Sequence, residues 1–169
     1  MVDLVSHALW AYALFHHQPD AYLYAGFTLL PDLLLAIPAF IGFFISGMNI
    51  GQLRKMHWKL PHESKSRMPY FRFVRTAYHA SHSWLVMAIL SLLVAIVFPA
   101  FAIPFAVGVF LHLALDLFVH KDSFAGQVPL YPLSSWKVKG FIHWSEKRFL
   151  LVNYALLIIV YSLMALGRL

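Results

Sequence analysis

The chain has 169 residues, of which 61% are hydrophobic and 12% charged, against roughly 25% charged in an ordinary soluble domain, and its mean hydropathy is +0.71. That balance excludes a water-soluble globular domain and predicts one integral membrane helical domain over residues 1–169 with no separate soluble module. The sequence contains no cysteine, which excludes disulfides, thiolate zinc sites and cysteine nucleophiles and leaves imidazole and carboxylate to bind any metal.

The net charge of +6 would suit nucleic acid, but the basic residues fall in loops between apolar segments. They point to membrane orientation, with the lipid bilayer as partner and no nucleic acid. The opening MVDLVSHALW lacks a basic n-region and a small-residue cleavage pattern, so it reads as part of the fold.

Segment one, Leu4 to Phe15, carries His7 and is shorter than the roughly 20 residues that a bilayer crossing takes. It is predicted to be a short or re-entrant helix, with Asp3 as its cap. After the turn HHQPD, where Asp20 reads as an N-cap or turn residue, segment two runs from Ala21 to Ser46 and is kinked by Pro31 and Pro38. His7 lies ten residues before His17, and Asp32 twelve after Asp20. At 1.5 Å per residue both stand on the order of 15 to 18 Å from the turn. A helical hairpin therefore places His7 beside Asp32.

Residues 49–75 read as a cytoplasmic loop holding Arg54, Lys55, Lys59, Lys65, Arg67, Arg72 and Arg75, with Trp58, Tyr70 and Phe71 suited to the interface. Segment three, Val74 to Phe98, has His79, His82 and Ser83 near its start. Pro99 and Pro104 bracket an outward turn before segment four, Phe105 to Val119. Residues 121–147, with Lys121, Lys137, Lys139 and Lys147, form a second cytoplasmic loop. Segment five, Arg148 to Leu166, carries no acid, base or imidazole after Arg148 and is assigned to packing. The expected fold is all-α: a polytopic bundle of about five helices.

Within segment four, FLHLALDLFVHK sets His112, Asp116 and His120 four residues apart, along one helical face. An aspartate at the centre of a membrane helix costs about 2.5 to 3.5 kcal/mol, so these groups call for a site. His7, Asp32, His82, His112 and Asp116 are the expected metal ligands, suited to Zn(II), Mn(II) or Fe(II). A metal with an open position lowers the pKa of coordinated water toward about 7, which is hydrolase chemistry. Asp32 or Asp116 would double as general base, with His79 and His120 orienting ligands or stabilising a leaving oxygen.

Blander readings stand beside these. His79 or His120 alone fits a hydrogen-bonded core histidine, and His16, His17, His57, His62 and His143 fit solvated positions. Ser83 reads as bonding backbone or supporting a ligand rather than as a nucleophile. The same ionisable residues also suit an ion or proton carrier. A haem ligated by two histidines would leave both aspartates without a role.

The motifs SHALWAYALF, AGFTLLPDLLL, YHASHSWL, HLALDLFVHKD and PLYPLS, in that order, resemble the prokaryotic family of small inner-membrane proteins described as LexA-regulated, membrane-bound metal-dependent hydrolases. The resemblance implies an inner-membrane location and a metal site at His7, Asp32, His82, His112 and Asp116, with His120 third in the H-x-x-x-D-x-x-x-H run. It also implies hydrolysis, for which location suggests a lipid or another amphiphilic ester or phosphoester. The family commonly has a second acid where Leu34 stands and a histidine where Ala77 stands. Those departures leave open fewer ligands, a mononuclear site or loss of the metal.

Overall fold

The computed structural model describes residues 4–47, 49, 51–52, 69–121, 126–143 and 146–169. The described chain is a helical bundle: α1 (Leu4–Phe15), α2 (Ala21–Thr28), α3 (Leu30–Ile45), α4 (Pro69–Ser81), α5 (Trp84–Val97), α6 (Ala102–Val119) and α7 (Lys147–Ala165), with a 3-10 turn at Pro99–Phe101 before α6. Its only β-pairing among the described residues is two isolated bridges, His120 with His143 and Gln127 with Val138.

The five apolar segments are all present, and their interiors differ from expectation in instructive ways. Segment two breaks at Leu29, and Pro31 opens α3, where its missing N–H costs nothing. Pro38 lies inside α3 without ending it. Segment three does not start at Val74 as one helix. Residues 69–75, expected as loop, already belong to α4, and α4 and α5 are bent by 58°. The bend falls at His82 and Ser83, where the Ser83 side chain accepts from Val86 N as the N-cap of α5. Asp20 holds the N-cap position of α2 without a side-chain bond. The expectations for Asp3, Arg54, Lys55, His57, Trp58, Lys59, His62, Lys65 and Arg67 lie outside the described residues.

Among the described residues, three helical stretches are long and apolar enough to cross a membrane: Ala21–Ile45, Pro99–Val119 and Lys147–Ala165, with the bent α4–α5 pair a fourth if it counts as one span. At 12 residues α1 is about 18 Å long, short of the roughly 30 Å hydrocarbon layer. The apolar helices show most of their surface. Only 11% of the α7 window and 17% of the α2–α3 window is buried, against 44% for α6, which makes α6 the central element. Ile37, Phe40, Phe44, Leu92, Ile96, Leu151 and Ile158 face outward, whereas Ser6, His7, Thr28, Asp32, His82, His112, Asp116, Gln127 and Asn153 are buried. Water-soluble folds have the reverse arrangement.

In lipid, apolar burial between helices gives little net gain, so close packing and interhelical hydrogen bonds hold such a bundle together. Both are present. Met87, Phe105, Val109 and Leu113 form a small core between α5 and α6, with Phe27 and Leu30 against it. The α7 helix does more than pack: Asn153 Nδ2 donates to Ser6 Oγ (2.8 Å), Asn153 Oδ1 accepts from Trp10 Nε1 (2.8 Å) and Tyr161 Oη donates to Leu9 O (2.9 Å). Three bonds of about 0.6 kcal/mol each thus tie α1, which carries His7, to a full-length helix.

Gly108 sets how near α2 comes to α6, because a Cβ there would stand 2.8 Å from Phe27 Cβ and 2.9 Å from the Tyr24 carbonyl oxygen. Gly108→Ala is expected to destabilise the protein by about 1 to 3 kcal/mol through overpacking. Gly26, exposed on α2 with nothing within 4 Å of its added Cβ, gives the control: Gly26→Ala leaves stability unchanged or gains up to about 1 kcal/mol. Thermal unfolding of the two variants in one detergent checks the opposite signs.

Candidate metal centre

The α6 helix supplies His112 and Asp116 one turn apart, both facing the bundle interior. His7 reaches them from α1, Asp32 from the first turn of α3 and His82 from the α4–α5 break. All five side chains have 0% exposure. The hairpin of α1 and α2 does bring His7 and Asp32 together: with His112 they offer ligand atoms within 4.8 Å of one another. A second such group comprises His82, His112 and Asp116.

The second group is nearly an equilateral triangle. His82 Nε2 lies 3.3 Å from His112 Nε2, and both lie 3.5 Å from Asp116 Oδ2. Asp32 Oδ1 is 3.5 Å from His82 Nε2 and 4.0 Å from His112 Nε2. Metal–donor bonds near 2.1 Å put tetrahedral ligands about 3.4 Å apart. The spacing of His82, His112 and Asp116 therefore matches that of groups sharing one small cation, with Asp32 Oδ1 a little farther from His112.

The tautomers, assigned from the hydrogen-bond network, sharpen this. His112 Nδ1 lies 2.7 Å from the Thr28 carbonyl oxygen, which only accepts, so the ring proton sits on Nδ1 and Nε2 turns a lone pair inward. Ser81 Oγ lies 3.3 Å from Tyr78 O and 2.8 Å from His82 Nδ1; with the hydroxyl proton on the carbonyl, Ser81 accepts from His82 Nδ1–H, the tautomer that turns the His82 Nε2 lone pair toward the cluster. Outer hydrogen bonds of this kind are how metal-binding imidazoles are usually oriented.

The acids complete an electron-rich pocket. Both oxygens of Asp32 and Oδ2 of Asp116 have no hydrogen-bond partner among the described residues. Asp116 Oδ1 contacts His7 Nε2 at 3.1 Å, and the His7 ring stacks on His112 with centroids 4.1 Å apart. His7 thus both holds Asp116 and belongs to the first ligand group. Among the described residues, the ion-pair partners of the two carboxylates are imidazoles alone. Two buried carboxylates facing two imidazole lone pairs need positive charge between them. The donor set fits a divalent cation.

The two remaining site candidates lie outside the triangle of donors. His120, at the C-terminal cap of α6, donates through Nδ1 to the Asp116 carbonyl (3.0 Å), and that atom is 3.7 Å from Asp116 Oδ2. It stands behind the acid rather than among the triangle of donors. His79 lies outside both ligand groups and lines a separate cavity with Arg75, Tyr131 and Lys137. The Ser83 hydroxyl bonds the carbonyls of Pro129 (3.0 Å) and Tyr131 (2.8 Å). His16 bonds the Ala13 carbonyl within its own turn.

Several supporting residues escaped the sequence reading. Thr28 offers only its main-chain carbonyl, which no side-chain pattern reveals. Ser81 beside His82 and Asn153 inside segment five were visible as polar residues in apolar surroundings. Gln127 Nε2 donates to the Leu113 carbonyl (3.0 Å) and Gln127 Oε1 accepts from Trp84 Nε1 (3.4 Å), fastening the 126–143 segment to α5 and α6. Gly140 lies so close to the end of α6 that a Cβ would sit 2.6 Å from His120 N. From there Gly140 N bonds His120 O and Phe141 N bonds Phe118 O, each at 2.9 Å.

No protein-family model, curated protein or solved structure matches this chain.

In chelator-treated protein Asp32→Asn removes a buried uncompensated carboxylate, and thermal stability is expected to rise by about 2 to 3 kcal/mol. A fall in melting temperature under the same conditions would show that some other group already neutralises Asp32.

Proposed function

We propose that the chain is a multi-pass protein of the plasma (inner) membrane whose His/Asp cluster holds a divalent metal near the cytoplasmic leaflet. There it hydrolyses an ester or phosphoester of a lipid or similar amphiphile. Zn(II) is the first choice, and Mn(II) and Fe(II) suit the same donors. The observation that carries the reading is the inward convergence of two imidazole nitrogens and two carboxylates, three of whose oxygens have no hydrogen-bond partner among the described residues. Membership in the LexA-regulated hydrolase family belongs to the proposal and rests on the order of its motifs.

The apolar exterior and the spans long enough to cross a bilayer support the membrane location. Lys121 follows the end of α6 and Lys147 opens α7, so positive charge marks the end of the bundle nearest Asp116, which supports a cytoplasmic-side site. A bound divalent metal supplies Lewis-acid activation of water and of the scissile group. His82, His112 and Asp116 would hold it, with Asp32 beside them. His7 positions Asp116 through Oδ1, and Asp32, whose oxygens carry no hydrogen bond among the described residues, would serve as the general base.

The complete burial of all five donors favours a second reading, a metal-binding or ion-carrying membrane protein without catalysis, because substrate must reach a reacting atom.

Elemental analysis of purified protein is expected to find about one zinc, manganese or iron per chain at a site of this donor count. His112→Ala and Asp116→Asn lose it, and Ser81→Ala binds it 10- to 100-fold more weakly, as is usual for the partner of a ligating histidine. Metal-free protein with an intact fold sinks the centre. Chelator-sensitive cleavage of a generic phosphoester or acyl ester selects the hydrolase, whereas metal flux in liposomes without cleavage selects the carrier.

A further inference from the structure

His82 stands at the break where α4 has ended and α5 has not begun, so no helix holds its main chain on both sides. Its contacts with Tyr78 hold it instead. The Tyr78 carbonyl accepts from His82 N (2.9 Å), which carries the i, i+4 turn one residue past the end of α4. The same carbonyl lies 3.3 Å from Ser81 Oγ, the hydroxyl that meets His82 Nδ1 at 2.8 Å. The Tyr78 ring lies over the face of the His82 imidazole, with centroids 4.2 Å and planes 23° apart, and it is buried at 7% exposure.

A ring nitrogen offers its lone pair in the plane of the imidazole, so the tilt of the ring decides where that lone pair points. A hydrogen bond at Nδ1 selects the tautomer, but the histidine χ2 torsion has broad minima and leaves the ring free to swing. A second ring lying flat on one face removes that swing. His112 meets the His82 ring at a steep angle, with centroids 5.2 Å and planes 62° apart, and His7 stacks on His112 in turn. Tyr78 is thus the outer member of a row of rings that runs through the cluster. Its ring also comes within aromatic contact range of His120, at 6.0 Å between centroids, and His120 bonds the Asp116 carbonyl. One side chain of α4 therefore braces both the break that carries His82 and the end of α6 that carries Asp116.

We propose that Tyr78 is a positioning residue of the metal centre, its ring setting the plane of His82 so that Nε2 points to the place it shares with His112 and Asp116. The effect of Tyr78 on a bound metal rests on the metal-centre reading, whereas its hold on the imidazole exists without any metal. The flat aromatic face carries this role, so phenylalanine replaces it and an aliphatic or thioether side chain of similar bulk does not. A stacked aromatic pair contributes a factor of about 2 to 12 beyond the area it buries, which sets the size of the expected loss in metal affinity.

The test uses the full-length, histidine-labelled protein in detergent, as wild type and as Tyr78→Phe, Tyr78→Leu, Tyr78→Met and Phe71→Leu. Phe71 is buried on α4 seven residues before Tyr78, so losing its ring controls for packing of that helix. Two non-aromatic variants are included so that one that fails to fold leaves the other. In chelator-treated protein the His82 ring protons, identified by their loss in His82→Gln, are expected to show an upfield ring-current shift in NMR spectra of wild type, Tyr78→Phe and Phe71→Leu. That shift disappears in Tyr78→Leu and Tyr78→Met. Titrated with Co(II), the same two variants bind about 2- to 12-fold more weakly and show an altered visible Co(II) spectrum, while Tyr78→Phe and Phe71→Leu match wild type in both. Unchanged His82 shifts in the non-aromatic variants overturn the positioning role. A Tyr78→Phe variant that behaves like Tyr78→Leu, or a Phe71→Leu variant with the same loss, overturns it as well. Expected shifts in protein that binds no Co(II) keep the hold of Tyr78 on His82 and sink the metal centre instead.

Discussion

Two imidazole lone pairs and two carboxylates face one another in a space from which solvent is excluded, and the remainder of the bundle is arranged around the resulting demand for positive charge. His82 Nε2, His112 Nε2 and Asp116 Oδ2 stand 3.3 to 3.5 Å apart. In water such groups would be solvated separately. Inside a low-dielectric bundle each must be neutralised or coordinated, and the imidazoles have already committed their protons outward, to the Thr28 carbonyl and to Ser81.

The irregular parts of the backbone gather where this demand is met. The break between α2 and α3 at Leu29 presents the Thr28 carbonyl to His112 and starts the turn that carries Asp32, while the 58° bend between α4 and α5 carries His82. Interrupted helices are tolerated at membrane depth only where protein or a cavity surrounds the freed polar groups. The end of α6 follows the same rule, since the carbonyls of Phe118 and His120 are taken by main-chain N–H groups of the segment returning through Gly140. The long apolar helices around these breaks keep their greasy surfaces outward and contribute few groups to the interior.

Much of the centre was legible from periodicity and arithmetic. The four-residue spacing of His112 and Asp116 requires one helical face, and the equal distances of His7 and Asp32 from a shared turn follow from a constant rise per residue. His79 shows where that reasoning stops. Treated as part of one helix with His82, it falls near the same site, but the chain bends directly after α4, so His82 turns into the cluster while His79 is left facing a cavity of its own. Segment five, read as plain packing, holds α1 through Asn153 and Tyr161.

From its sequence alone this protein was determined to be an all-helical bundle with an apolar exterior, and five residues were marked as expected metal ligands, because composition and helical period act locally and one helix at a time. Only the tertiary structure decided which lone pairs point inward, that Asp32 lacks a hydrogen-bond donor among the described residues and that His79 belongs to a different cavity. Those properties depend on a carbonyl 84 residues away from His112 and on a loop fastened to a helix break. Side-chain pattern carries no record of either, since main-chain acceptors are the same at every position and become specific only when the fold brings one of them within bonding distance.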